Sequence, residues 1–219
     1  MFTGLVQAVG KIQSIGDRGR DKYIRIDVGN LSMEDVGSGD SIAVNGVCLT
    51  ALDIDAHSFA ADVSAETIEH SIFKNLGVGA AVNLEKSLMP SSKLGGHFVS
   101  GHVDGVGEII QRYADGRSER FVVRTPPALS KYIAPKGSIC ISGISLTVNE
   151  VNRDAFGVNI VPHTLKETIL GDLHVGDKVN LEVDIIARYL EQLLKGGQGA
   201  DGVSEALLAD AGFIKNKVR

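Results

Sequence analysis

GLVQAVGKI at residues 4–12 returns as GHVDGVGEI at residues 101–109, 97 positions further on, and this spacing organises the whole chain. DSIAVNGVCLT (40–50) answers to GSICISGISLT (137–147) at the same offset, and LGVGAAVNLE (76–85) to LHVGDKVNLE (173–182). Laid on each other without a gap, residues 1–85 and 98–182 share 22 identical positions, against about five or six expected from average residue usage. The interval exceeds the roughly 20–50 residues of a solenoid repeat and is the size of a small whole domain. The stretch LMPSSKLGG, 88–96, is rich in the residues that punctuate structure. The expected organisation is therefore a first barrel over 1–97, a second over 98–185, a helix over 186–196 and a tail over 197–219.

Within each copy the patterns are those of strands. In 23–28, Ile24, Ile26 and Val28 alternate with Arg25 and Asp27, placing an apolar and a polar face at the period of two. Residues 41–49 and 138–146 are rich in Ile and Val and each contains a glycine suited to a bulge or a close backbone approach. Residues 121–124 are the counterpart of the first stretch, and 82–85 and 179–182 close each unit. Asp115-Gly116 marks a hairpin turn, and 67–76 and 164–173 suit short helices. About six short strands in 90 residues suit a six-stranded Greek-key β-barrel, which leaves no open sheet edge. The fold class is all-β: two tandem barrels and a C-terminal α-helix. After Asp184 the period changes. Ile186, Tyr189, Leu190, Leu193 and Leu194 form one apolar stripe at helical spacing, stopped by Gly196-Gly197. Such a stripe must be buried, either on its own barrels or, as preferred here, against other copies. Residues 204–210 suit a second short helix.

Composition narrows the function. With 219 residues, 43% hydrophobic, a core is attainable; a net charge of −5 without a basic cluster before the last few residues argues against nucleic acid. No apolar run is long enough for a membrane span, the N-terminus lacks the pattern of a signal peptide, and two cysteines make no disulfide scaffold. A soluble cytoplasmic protein is expected. There is no phosphate-binding loop, no dinucleotide fingerprint, and no HExxH, CxxC or GxSxG motif. His97 and His102, five apart, would face opposite sides of a strand, so no metal site is expected.

What remains are the blocks present in both copies. Gly4, Leu5 and Val6 match Gly101, His102 and Val103. Cys48, Leu49 and Thr50 match Ser145, Leu146 and Thr147. Asp62, Val63, Ser64, Ala65, Glu66 and Thr67 match Asn159, Ile160, Val161, Pro162, His163 and Thr164. Together they supply backbone groups, hydroxyls and a short polar loop, the means of reading a flat heterocycle with carbonyl and N–H edges. Where the copies differ, the differences are polar: His102 for Leu5, Ser145 for Cys48, His163 for Glu66, Lys136 for Gly39 and Asp184 for Ser87. One scaffold with two polar sets is what two identical molecules in opposite roles require.

MFTGLVQ, NGVCLT, GGHFVSGHVDG, GISLTV, VPHTL, VNLEVD and IIARYLE together resemble the riboflavin synthase family of the alpha-chain type, over about residues 1–195. The resemblance implies a homotrimer joined by C-terminal helices, with each barrel binding one 6,7-dimethyl-8-ribityllumazine. The active site would form between the first barrel of one subunit and the second barrel of another. There a four-carbon unit passes between two lumazines, giving riboflavin and a ribitylamino-pyrimidinedione without a cofactor. Ser41, Cys48, His102, Ser145, Thr147 and Asp184 match positions associated with catalysis, and Lys136 would reach a neighbouring subunit's site. Each pocket is expected from one copy's three blocks, so Cys48 falls in pocket one and His102 in pocket two. His102 is the natural proton shuttle; the Cys48 thiol is a nucleophile or a polarisable wall; Cys140, aligned with Ala43, is read as core; Asp184 caps the helix, acts on the ligand, or both. Lumazine synthase is a further possible partner. A lumazine- or flavin-binding protein without catalysis, and a barrel binding oligonucleotide or sugar, are the competing readings.

Overall fold

A computed structural model describes residues 1–196. Residues 1–185 form one compact unit, and residues 186–196 lie outside it; the tail beyond 196, including the short helix expected over 204–210, lies outside the described residues.

The first copy runs β1 (Ala8–Arg18), β2 (Asp21–Asp27), β3 (Ser41–Val44), β4 (Val47–Thr50), β5 (Ser58–Val63), α1 (Ala65–His70) and β6 (Ala81–Lys86). The second repeats it as β7 (Gly105–Asp115), β8 (Ser118–Arg124), β9 (Ser138–Ile141), β10 (Ile144–Asn152), β11 (Ala155–Ile160), α2 (Pro162–Glu167) and β12 (Lys178–Val183). A 3₁₀ turn follows each short helix, at Ile72–Asn75 and Ile169–Asp172. Strand order is β4-β3-β6-β1-β2-β5 in the first copy and β10-β11-β8-β7-β12-β9 in the second, the same Greek-key arrangement. The second copy is a closed barrel. In the first, the edge strands β4 and β5 meet at one bridge, between Leu52, just past the end of β4, and Ala60 of β5.

The alternation over 23–28 places Ile24, Ile26 and Val28 in the core, all nearly inaccessible. Phe59, Ile42, Val44 and Leu84 join them, and Phe121, Phe156, Ile109, Ile139 and Leu181 fill the second barrel. Both first strands carry a bulge at equivalent places, between Ile12 and Ser14 and between Ile109 and Gln111.

Two local expectations need correction. The glycines of 41–49 and 138–146 are not at bulges: Asn45-Gly46 and Ser142-Gly143 turn two-residue hairpins, all four residues at positive φ. This is the Asn-Gly hairpin signal, masked by the unbroken apolar run around it. The second-copy turn uses Gly116-Arg117, flanked by the pair Asp115–Ser118, one residue later than the dipeptide suggested.

The close backbone approach expected at those glycines is present. The two hairpin tips stack on each other: a Cβ on Gly46 would stand 2.7 Å from the Gly143 backbone nitrogen. Reciprocal hydrogen bonds surround them. Asn83 Nδ2 donates to Ser142 O (2.9 Å) and Asn180 Nδ2 to Asn45 O (2.8 Å). Ile169 N donates to Asn83 Oδ1 (2.9 Å) and Ile72 N to Asn180 Oδ1 (2.8 Å). Each contact maps onto its partner by the 97-residue offset, so the two barrels meet self-complementarily, like the halves of a twofold dimer. All these groups are buried, which makes their mutual satisfaction a condition of the interface.

The final helix is α3 (Ile185–Gly196). Ile186, Tyr189, Leu190, Leu193 and Leu194 are all exposed in the single chain. No helix of the described residues is long and apolar enough to cross a membrane.

Candidate active site

Each copy begins with a short strap before its first strand. Phe2 and Val99 pair as an antiparallel bridge and are buried with Ala43 and Cys140 in a cluster between the barrels. Cys140 is thus core, as expected, and burial pushes its thiol pKa well up.

A buried carboxylate anchors each strap. Glu85 Oε1 accepts from Thr3 N (2.7 Å) and Thr3 Oγ1 (2.6 Å), and its Oε2 from Gly4 N (3.0 Å). Glu182 repeats this with Ser100 N (2.6 Å), Ser100 Oγ (2.7 Å) and Gly101 N (3.0 Å). Burial pushes both acids up, while the donors pull them back. The straps then cross. Gly101 O accepts from Cys48 N, and Gly4 O from Ser145 N, both at 2.8 Å. Gly4 and Gly101 have φ of +75° and +81°, and a Cβ on either would lie 2.6 Å from the Cβ of Ser145 or Cys48. Val103 packs on the first barrel's core and Val6 on the second's.

The expected grouping of blocks is therefore corrected. Gly101, His102 and Val103 stand with Cys48 on the first barrel; Gly4, Leu5 and Val6 stand with Ser145 on the second. A carbonyl held at the tip of an anchored strap meets the neighbouring barrel's strand, not its own. Cys48 and His102, expected in different pockets, line one cavity of about 300 Å³ together with Glu66, Thr67, His70 and Asp104. That volume lies at the small end of ligand sites. Its wall is α1, whose N-cap Ser64 Oγ accepts from Thr67 N (3.1 Å).

The other expected site residues are distributed as follows. Thr50 and Thr147 are exposed on the same strand faces as Cys48 and Ser145, and Ser41 pairs with Thr50 at the start of β3. Leu49, Val63 and Ile160 point into the cores, so they shape the site from behind, while Leu146 is half-buried. Asp62 is exposed and ion-paired to Arg18 at 3.1 Å. Ala65 lies on α1; Asn159, Val161, Pro162 and His163 are exposed and Thr164 half-buried, at and before the start of α2. Lys136 is exposed at φ 68°, and Asp184, just before α3, is half-buried.

Three groups of this region were not singled out from sequence. Glu85 and Glu182 end the repeated VNLE, where an acid recurring in an apolar strand was the available signal. His97, treated only as half of a rejected metal pair, closes the glycine-rich connector. It is buried, with Nδ1 2.7 Å from Ser145 Oγ. Burial pushes the His97 pKa down, opposed by the charge of Asp184.

Two small barrels, a half-open pocket on the first and an equivalent wall on the second define a duplicated binder of a small ring system. The chain belongs to the lumazine binding domain family, which it matches twice, over residues 3–87 and 100–184. Over 217 residues it is 45% identical to the riboflavin synthase of Photobacterium phosphoreum, covering 98% of this chain and 100% of that one. The Bacillus subtilis riboflavin synthase is 37% identical over 216 residues, 97% and 100% of the two chains. Among solved structures, LumP complexed with riboflavin superposes with a TM-score of 0.77 at 28% identity, covering 84% of this chain and 99% of that one. LumP complexed with 6,7-dimethyl-8-(1'-D-ribityl) lumazine gives 0.75 at 27%, with the same coverage.

Proposed function

We infer that this chain is a riboflavin synthase, a transferase that dismutates two molecules of 6,7-dimethyl-8-ribityllumazine into riboflavin and 5-amino-6-ribitylamino-pyrimidinedione. The observation that carries this is the crossing of the straps. It brings Cys48 and His102 together at a cavity on the first barrel and puts Ser145 at the equivalent place on the second, unlike polar groups on like scaffolds, in a chain 45% identical to a riboflavin synthase over 98% of its length. The pockets would take one lumazine each, as donor and acceptor of four carbons.

The chemistry asks little of the protein. A methyl group on the electron-poor ring is a carbon acid whose anion spreads over the heterocycle, so the substrate is its own electron sink. The chain's residues hold two rings in opposed orientation and move protons. His102 is placed to carry them, in the same cavity as Cys48. We assign catalytic roles to Ser41, Cys48, His102, Ser145, Thr147 and Asp184, and ligand contacts to the three blocks of each crossed pocket and Lys136. We further assign a homotrimer assembled through the exposed stripe of α3, with donor and acceptor pockets drawn from different subunits, a cytoplasmic location, and lumazine synthase as a candidate partner.

Incubating the purified chain with 6,7-dimethyl-8-ribityllumazine and following riboflavin absorbance tests the activity. Riboflavin should form with half the lumazine recovered as the pyrimidinedione. Tight binding of lumazine without riboflavin would instead establish a binding protein.

A further inference from the structure

We propose that His97 is a positioning residue for Ser145, setting the direction in which the serine hydroxyl meets the ring bound on the second barrel. The proposal rests on the synthase reading above.

Both members of the pair are tied to one strap. His97 N donates to Thr3 O (3.2 Å), and Ser145 N donates to Gly4 O (2.8 Å). Gly96 has no Cβ because one would stand 2.1 Å from Thr3 O and 2.9 Å from Ser145 Oγ. The imidazole is 8% exposed, so it is packed in place with its Nδ1 2.7 Å from the hydroxyl oxygen.

A serine hydroxyl rotates freely about its C–O bond and can donate or accept. Beside a fixed imidazole nitrogen it has one favoured orientation. If Nδ1 accepts the serine proton, the oxygen lone pairs face the ring. If Nδ1 carries hydrogen, the serine proton is free to donate to a ring carbonyl. Burial favours the neutral imidazole, which has one donor and one acceptor nitrogen. His97 Nε2 has no hydrogen-bond partner among the described residues although it is buried, so the far nitrogen is free to change tautomer when a ligand arrives. Among the described residues Cys48, in Ser145's place on the first barrel, makes no equivalent side-chain hydrogen bond. The pair therefore exists in one pocket of the two, as a division into donor and acceptor demands.

The test compares His97→Leu, which removes the bond, with His97→Asn, whose amide nitrogen or oxygen occupies the place of Nδ1, each alone and combined with Ser145→Ala. His97→Leu should lower kcat by about 10–100-fold, the cost of misplacing one reacting group, with KM nearly unchanged; His97→Asn should restore most of the loss. In the Ser145→Ala background neither change should matter further. Equal impairment by Asn and Leu, additive losses with Ser145→Ala, or full kcat in folded His97→Leu would each overturn the proposal. Should the leucine variant not fold, the cycle of His97→Asn with Ser145→Ala still decides additivity. Wild-type protein assayed alongside separates the two readings, because failure of the wild type to form riboflavin sinks the function itself. A readout independent of turnover is the ¹⁵N resonance of the His97 ring, which should move on riboflavin binding to wild type and stay still in Ser145→Ala; a silent wild-type ring would overturn the pairing.

Discussion

The backbone N–H of Cys48 donates to the carbonyl of Gly101 at 2.8 Å, joining the first barrel to a strap that belongs, by sequence, to the second copy. Ser145 and Gly4 repeat the bond in the opposite sense. Neither strap serves its own barrel, and the consequences can be measured.

Gly101→Ala should damage the first pocket with the fold retained. Its φ of +81° costs a non-glycine residue about 1–2 kcal/mol, and the new Cβ would meet Cys48 Cβ at 2.6 Å. Riboflavin titration should show loss of one class of site and thermal melting a drop of several degrees. Unchanged binding would mean the strap does not form the pocket wall.

Asn180→Leu should loosen the junction of the barrels. It strands Asn45 O and Ile72 N, both bonded by the Asn180 amide. Each buried unsatisfied group costs about 1–3 kcal/mol, so urea unfolding should reveal a loss of about 2–5 kcal/mol. A variant as stable as wild type would contradict the assigned role of the network.

His97 makes stability depend on pH. Burial lowers its folded pKa from the ordinary 6.5, so the unfolded chain takes up the proton first. The contribution is complete above pH 6.5 and is lost as pH falls through the depressed folded value. Melting curves of wild type and His97→Asn should therefore converge toward acid and separate toward neutrality. A parallel pair of curves from pH 5 to 8 would rule this out.

Crossed straps specify which inactive variants can rescue one another. Cys48 and His102 line a single cavity, so hybrids of Cys48→Ala and His102→Ala, refolded together, should gain nothing. Hybrids of Cys48→Ala with Ser145→Ala should recover activity, since an intact first pocket then faces an intact second pocket on another chain. No gain from the second kind of hybrid, with mixed assemblies shown to form, would place the reacting pair within one subunit.

Ending the chain after Asp184 should leave monomers by sedimentation, with poor turnover. The stripe Ile186, Tyr189, Leu190, Leu193 and Leu194 is exposed in the single chain and would be gone. Intact trimers from the truncated protein would assign assembly to the barrels.

The sequence alone determined the duplication, the strands and the chemistry-bearing blocks, because these are local or repeated properties. Alternation at Ile24, Ile26 and Val28 is written in adjacent residues, and the offset of 97 survives in plain letters. So was the contrast between Cys48 and Ser145, visible once the copies were aligned. Only the tertiary structure decided which strap serves which barrel. Gly4 is aligned with Gly101 whether or not the straps cross, since exchange between two like barrels preserves every local contact and leaves no mark on pattern or propensity. The pairing of His97 with Ser145 was hidden for a related reason. It spans 48 positions, and its two ends are brought together by the shared anchor at Thr3 and Gly4, which itself depends on a buried carboxylate 82 residues away. Such a chain of long-range hydrogen bonds forms only when both barrels are folded and docked.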